Sequence, residues 1–312
     1  MNRKIFSLMA TICLALSFTA CSDSDSSNPF DEPKRGEFLP KEIVIKKNSD
    51  NRNITESWSN IRRNANDKIL SCDYSLRSEG DVTQVENSSY SFDYYTGYQG
   101  NEIIRTKVVK ESTKSDRGIV EKYTENIQED ISINEYGYIS RISTTTDHFS
   151  GNSTEPVTTT SERTFTYNGD FCKGSTYRDE NYVITYKYNW NGYMLSNITV
   201  LKENIKDGSV EYNTYDYTFN RRELYPYAGT EILPFVQSGM PQIYASMGYL
   251  GKCTPYILSE EVQGGYTKFG GMTFENIRIH NTYYFGGDAG VRLRYDAAPS
   301  SVYNEYSITF IK

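Results

Sequence analysis

The segment TYKYNWNGYMLSNI, residues 185–198, carries the clearest structural pattern in the chain. Tyr186, Tyr188 and Trp190 alternate with Lys187 and Asn189, and Asn191-Gly192 follows at once. A period of two places the rings on one face of a strand and the polar side chains on the other. Asn-Gly fits a two-residue hairpin, because both central residues of such a turn take positive φ. The same pattern spreads along the chain. Tyr182 and Ile184 precede the segment, Tyr90, Phe92 and Tyr94 alternate, and so do Phe165 and Tyr167. Tyr215, Tyr217 and Phe219 follow, then Val291, Leu293 and Tyr295, and Tyr306, Ile308 and Phe310 end the series. The residues between them are Thr, Ser, Asp, Lys and Asn, so each strand has one wet and one packed face, which is the antiparallel arrangement. Turn signals separate the runs at Thr96-Gly97, Tyr136-Gly137, Asn168-Gly169, Asn191-Gly192, Asp207-Gly208 and Gly286-Gly287. The chain therefore reads as all-β, an antiparallel meander of long hairpins whose interior is filled by Tyr and Phe.

A loose repeat underlies the meander: NDKILSCDY (66–74), EYGYISRIS (135–143) and WNGYMLSNI (190–198) are each a turn followed by a strand. The spacing is irregular, so this is a hairpin repeat and not a solenoid. Alternation fails between Leu224 and Val262, where Pro226, Gly229, Pro234 and Gly239 intrude. Within this insert Pro241–Leu250 has the form of a short helix, with Pro241 in its first turn and Gly251 as its C-terminal cap. Ile243, Met247 and Leu250 would share one face, packed as a plug on one end of the sheet or serving as a ligand lid.

The N-terminus carries an address. Arg3 and Lys4 precede an apolar run, Ile5–Phe18, and small residues, Thr19 and Ala20, precede Cys21. This is the layout of a secretory signal over residues 1–20. The run is shorter than the roughly 20 residues that span a bilayer. Small residues directly before Cys21 resemble the bacterial lipobox, with Phe18 standing where Leu is usual. The resemblance implies that Cys21 is the lipid attachment site and the mature N-terminus; an ordinary signal would leave Cys21 free. Two or three acyl chains, at about 0.8 kcal/mol per buried methylene, anchor a protein effectively permanently. Residues 21–40, with SDSDSS and Pro29, Pro33 and Pro40, read as a lipid-anchored flexible tether reaching about 25 Å as a coil. Its acidic start also resembles a surface-export signal of Bacteroidetes lipoproteins. Residues 41–312 then form a single β-rich domain.

Composition narrows the function. The chain has 33 Lys+Arg against 40 Asp+Glu, a net charge of −7, without a basic stripe, which argues against nucleic acid. Once Cys13 and Cys21 are set aside, Cys72, Cys172 and Cys253 remain, with no C-x-x-C spacing. One pair could bridge in an oxidising compartment, or the three could be separate buried thiols. The two histidines, His148 and His280, lie in no metal-ligand motif. No nucleophile elbow or P-loop occurs. Adjacent acids such as Glu129-Asp130 do not supply the paired carboxylates of a glycosidase, and neighbours on a strand, such as Asp147 and His148, point to opposite faces. No metal or cofactor is called for.

The order of these parts resembles the Bacteroides and Prevotella lipoproteins grouped under the domain of unknown function DUF4595. The resemblance rests on the lipobox and acidic tether, on TYKYNWNGYMLSNI (185–198), on NRRELYPYAGTEILPF (220–235) and above all on MGYLGKCTPYILSEEV (247–262). It implies a porin-like fold, a barrel-like or strongly curved sheet, over residues 41–312, and it carries no catalytic residues. On this reading the protein is a cell-envelope lipoprotein at the outer membrane, on its periplasmic or surface side. It is most simply a non-enzymatic module that binds a glycan, peptide or protein partner. Rings beside the Asn191-Gly192 turn, Tyr188, Trp190 and Tyr193, are candidates for stacking on a sugar. The alternative is a hydrolase acting on envelope or dietary glycans, with converging carboxylates or with Cys172 or Cys253 beside His280.

Overall fold

A computed structural model describes residues 39–49, 52–98, 100–150, 154–224, 240–241, 243–244, 247–252, 254, 256–267, 279–287, 290–297 and 303–310. Residues 1–20 expected to form a signal, Cys21, most of the expected tether and Cys253 lie outside these residues. The described chain forms sixteen strands: β1 (Pro40–Ser49), β2 (Arg52–Arg63), β3 (Ile69–Gly80), β4 (Val82–Thr96), β5 (Glu102–Asp116), β6 (Ile119–Ile133), β7 (Ile139–Ser150) and β8 (Val157–Asn168). They continue as β9 (Phe171–Arg178), β10 (Tyr182–Asn191), β11 (Met194–Asn204), β12 (Val210–Leu224), β13 (Tyr256–Thr267), β14 (Ile279–Gly287), β15 (Gly290–Ala297) and β16 (Tyr303–Phe310). All lie in one sheet, with neighbours in the order β13 through β1 followed by β16, β15 and β14. Every ladder is antiparallel, and β1 joins the two ends of the chain by pairing with both β2 and β16. The sheet is an all-β meander, as its alternation requires. It curves until its two edge strands, β13 and β14, bring Cα atoms within 8 Å of each other. No ladder joins them among the described residues. The sheet is thus barrel-like but not closed.

The two faces follow the period of two. On β10, Tyr186 and Tyr188 are 7% and 4% exposed, while Lys187 and Asn189 face water. Cross-strand pairing stacks the inward side chains: Tyr188 opposes Ile198, Ile198 opposes Tyr215, and Ile104 opposes Ile131, which opposes Ile142. Trp58 packs on Tyr74 and Tyr90, with ring centroids 4.7 and 5.0 Å away. The interior is therefore filled by rings and branched aliphatics. Isoleucine supplies more of its fully buried side chains than tyrosine; Tyr74, Tyr94 and Tyr167 stay partly exposed, with their hydroxyls on Glu56, Ile69 and Ile139.

The sequence repeat has a structural meaning. In each copy two side chains three residues apart are both buried: Ile69 and Cys72, Ile139 and Ile142, Leu195 and Ile198, all at 3% exposure or less. Strict alternation would turn one of each pair outward. The register shifts beside each copy, near Arg62 and Arg63, at Ile133 and at Trp190, as a β-bulge requires. In the first two copies a ring on the adjacent strand then binds the freed backbone. Tyr94 and Tyr167 donate their hydroxyls to the carbonyls of Ile69 and Ile139, each at 2.8 Å. Trp190 donates its indole N–H at 2.7 Å to the Cys172 carbonyl, which lies at the β8–β9 hairpin, outside the three copies.

The insert plugs the end of the sheet where these repeats begin. Ile243 and Tyr244 are helical, and Met247 N–H donates to the Ile243 carbonyl at 3.0 Å. Ile243 and Leu250 are buried and Met247 packs against the core, the shared face expected of a short helix. The described helix is shorter than 241–250, with turns over 247–250. Bulging leaves strand N–H groups without ladder partners, and the insert accepts them: Ile139 N–H donates to the Tyr249 carbonyl at 2.8 Å and Leu195 N–H to Thr254 Oγ1 at 2.9 Å. Gly251 holds φ at +90°, and a Cβ there would lie 2.6 Å from the Asp170 carbonyl oxygen. Both the cap and the close approach need glycine.

Candidate functional site

Past the plug, toward the opposite end, the interior turns polar. Four adjacent strands each contribute one inward side chain to a single row. Lys110 on β5 lies between Glu86 on β4 and Glu125 on β6, with Nζ 3.1 and 3.2 Å from their carboxylates. His148 on β7 places Nδ1 2.7 Å from the other Glu125 oxygen, and its Nε2 meets Thr159 Oγ1 on β8 at 3.1 Å. Burial pulls the Lys110 pKa down, but attraction to Glu86 and Glu125 outweighs it, so the ammonium is held above its ordinary value. This row sets two carboxylates on one ammonium and is built as a structural network.

The outward face of β7–β9 carries a different feature, an open groove of about 850 Å³. Its floor is hydroxyls: Ser143 and Thr145 from β7, Thr158, Thr160 and Thr164 from β8, and Thr176 from β9. Register places them in rows, with Thr145 opposite Thr160 and Thr164 opposite Thr176. Charged side chains edge the floor. Glu162 is ion-paired with Arg141 and opposes Arg178, and Asp179 and Glu180 stand at the β9–β10 turn. That turn is set locally: the Asp179 carboxylate accepts the N–H groups of Asn181 and Tyr182, each at 2.7 Å. The β11–β12 hairpin supplies a wall, because Ile205 N–H donates to the Asn181 carbonyl at 2.8 Å and brings the Ile205 side chain to the rim. A floor of hydroxyls, each a donor and an acceptor, with carboxylates and guanidinium groups at its edge, can hydrogen-bond a polyhydroxylated ligand. The sequence shows the run of threonines on β7 and β8, but the concavity depends on the short β9 and on the neighbouring hairpin.

The stacking candidates separate. Tyr188 is inside the sheet, at 4% exposure. It faces inward because it shares parity with Tyr186, so its ring is core and offers no outer face to a sugar. Trp190 is partly buried, packed on Phe171 with centroids 4.8 Å apart. Tyr193 is exposed at the hairpin tip.

The cysteines and acids also have defined surroundings. Cys72 and Cys172 are free and buried. Burial pushes both thiols up to about 12, so they are protonated at neutral pH and lack the thiolate that nucleophilic attack needs. Cys172 lies on β9 and His280 on β14, which are not neighbours in the sheet. Glu129 and Asp130 face opposite sides: Asp130 pairs outside with Arg105 at 2.7 Å, and Glu129 accepts the Tyr244 hydroxyl inside. Asp147 and His148 divide in the same way. Among the described residues no cluster of His, Cys, Asp and Glu is arranged to hold a metal ion.

The outer face is mostly polar across the middle of the sheet, with Val109 exposed among polar neighbours. Lys107 and Glu111 on β5, Asn126 and Gln128 on β6, and Arg141 on β7 all point outward and are exposed. A lipid-facing barrel instead presents an apolar band outside and polar groups within. No described helix is long and apolar enough to cross a membrane.

No family model matches the chain, and no curated protein matches it. Among solved structures it is similar to a porin-like protein from Bacteroides uniformis, with a TM-score of 0.50 and 11% identity. The match covers 88% of this chain and 98% of that one. At this identity the likeness establishes a shared fold, a strongly curved antiparallel sheet.

Proposed function

We propose that the protein is a non-enzymatic cell-envelope lipoprotein, anchored at the outer membrane through Cys21, whose β domain binds a glycan in the outer groove of β7–β9. The observation that carries this reading is the groove floor, rows of Ser and Thr hydroxyls edged by Glu162, Arg178, Asp179 and Glu180. Such a surface offers hydrogen bonds of both senses to vicinal sugar hydroxyls. The lipobox-like approach to Cys21 and the porin-like fold support the envelope location. The buried, protonated thiols and the opposed directions of adjacent acids favour binding over hydrolysis.

The test is a glycan array probed with the mature chain, followed by calorimetry on any retained polysaccharide. Hydrogen bonds to a charged group contribute about 1.5–3 kcal/mol, so Arg178→Ala or Glu162→Gln is expected to weaken binding on the order of 10- to 100-fold. Retention of no glycan, or binding unchanged by both substitutions, overturns the groove as the site.

A further inference from the structure

Exposed tyrosines mark one end of the sheet. Tyr98 is 105% exposed at the β4–β5 tip, Tyr136 66% at the β6–β7 tip and Tyr193 46% at the β10–β11 tip. All three tips lie at the plugged end, where alternate hairpins turn. The first described strand, β1, starts at this same end: the Pro40 carbonyl accepts Arg63 Nη2 at 3.3 Å, beside the β2–β3 turn. The chain that leads from Cys21, residues 22–39, therefore joins the domain at its tyrosine end. The opposite end also exposes apolar side chains, but they are aliphatic, Ile119 at 68% and Val157 at 69%, and the chain from Cys21 does not enter there. Tyrosine suits the boundary between lipid and water, because its ring is apolar and its hydroxyl stays wet.

We propose that Tyr98, Tyr136 and Tyr193 form a face that rests on the lipid surface holding the Cys21 acyl chains. The inference depends on the lipid-anchor reading and adds an orientation to it. A tethered domain needs little intrinsic affinity for lipid, since the anchor already keeps it at high local concentration. Three interfacial rings then suffice to bias which end faces the bilayer. The plugged end is turned toward the membrane, and the β7–β9 groove on the side of the sheet stays open to solvent.

The experiment reconstitutes the full acylated chain into phosphatidylethanolamine vesicles that contain brominated phospholipid. Tyr98→Trp and Tyr136→Trp each add a reporter at the tyrosine end, and Arg117→Trp adds one at the opposite end; the native Trp58 and Trp190 give a common background. Mass spectrometry of the purified chain reads the acyl groups on Cys21, with Cys21→Ser as the control. The expected result is an acylated chain in which bromine quenches the two tyrosine-end reporters several-fold more than the Arg117→Trp reporter. An acylated chain with equal quenching at both ends, or with the stronger effect from Arg117→Trp, overturns the docking and leaves the anchor standing. Protection of the tyrosine-end reporters by a soluble polysaccharide, without quenching by lipid, overturns the docking in favour of sugar stacking. A chain with no acyl groups overturns the anchor and, with it, the docking.

Discussion

Glu129 and Tyr244 show how much a single buried contact depends on tertiary structure. Glu129 is on an inward position of β6, Tyr244 is in the insert, and the phenol donates to the carboxylate inside the plugged end. Burial raises the Glu129 pKa, and the Tyr244 hydrogen bond and the nearby Arg163 charge only partly offset it. A carboxyl whose folded pKa lies above its unfolded value binds protons better when folded. Its ionisation therefore subtracts stability as pH rises from the ordinary carboxylate range through the raised folded value, and the cost is absent below that range. Glu129→Gln removes this dependence. Thermal melts from pH 4 to pH 8 should show the variant gaining on the parent as pH rises; a constant difference across that range would refute the assignment. Gly251 is legible in the sequence as a cap, while the Asp170 carbonyl that makes any Cβ intolerable there is brought in by a different hairpin.

At the scale of elements, period two is nearly sufficient. Tyr186, Tyr188, Phe92 and Ile308 are all buried where alternation puts them. It fails at the three repeats, where a bulge buries residues three apart, and a bulge leaves no mark in an alternating pattern except the repeat itself. The inward row Glu86–Lys110–Glu125–His148 is a second case. Each member sits in its own strand among polar neighbours, and only ladder register brings them into line. Lys110→Met leaves two carboxylates facing each other without their cation. The cost should be about 2 kcal/mol, between that of an exposed pair and that of a buried one, since the three side chains are 13–24% exposed. Urea unfolding checks this, and a loss below a few tenths of a kcal/mol would show the row to be a solvated face.

For the whole molecule, the seam is the feature that topology decides. Strands β5 and β6 have partners along both edges, while β13 and β14 approach each other without a described ladder. Amides directed at the seam should exchange with solvent well before those in the middle of β5 and β6, because exchange there needs no sheet opening. Uniform protection across the sixteen strands would mean that the edges pair in solution. An unsealed seam also explains why the aromatic and aliphatic interior matters: with no continuous ring of backbone hydrogen bonds, the packed core and the insert keep the curvature.

The strands with alternating rings, their wet and packed faces, the turns at Gly137, Gly169, Gly192 and Gly208, and an insert where alternation stops are all legible in the sequence, because each is a local consequence of side-chain period or backbone conformation. The rest depends on how the whole sheet assembles. Its assembly leaves Tyr193 exposed at a hairpin tip and sets hydroxyls of β7, β8 and β9 side by side as a groove. It also gathers Tyr98, Tyr136 and Tyr193 at the end where β1 begins. These arrangements depend on ladder register and sheet curvature, which join residues far apart in the chain, as Tyr244 joins Thr106 and Glu129. Such pairings carry no local signature, because the same alternating strand is compatible with many registers until the whole sheet is assembled.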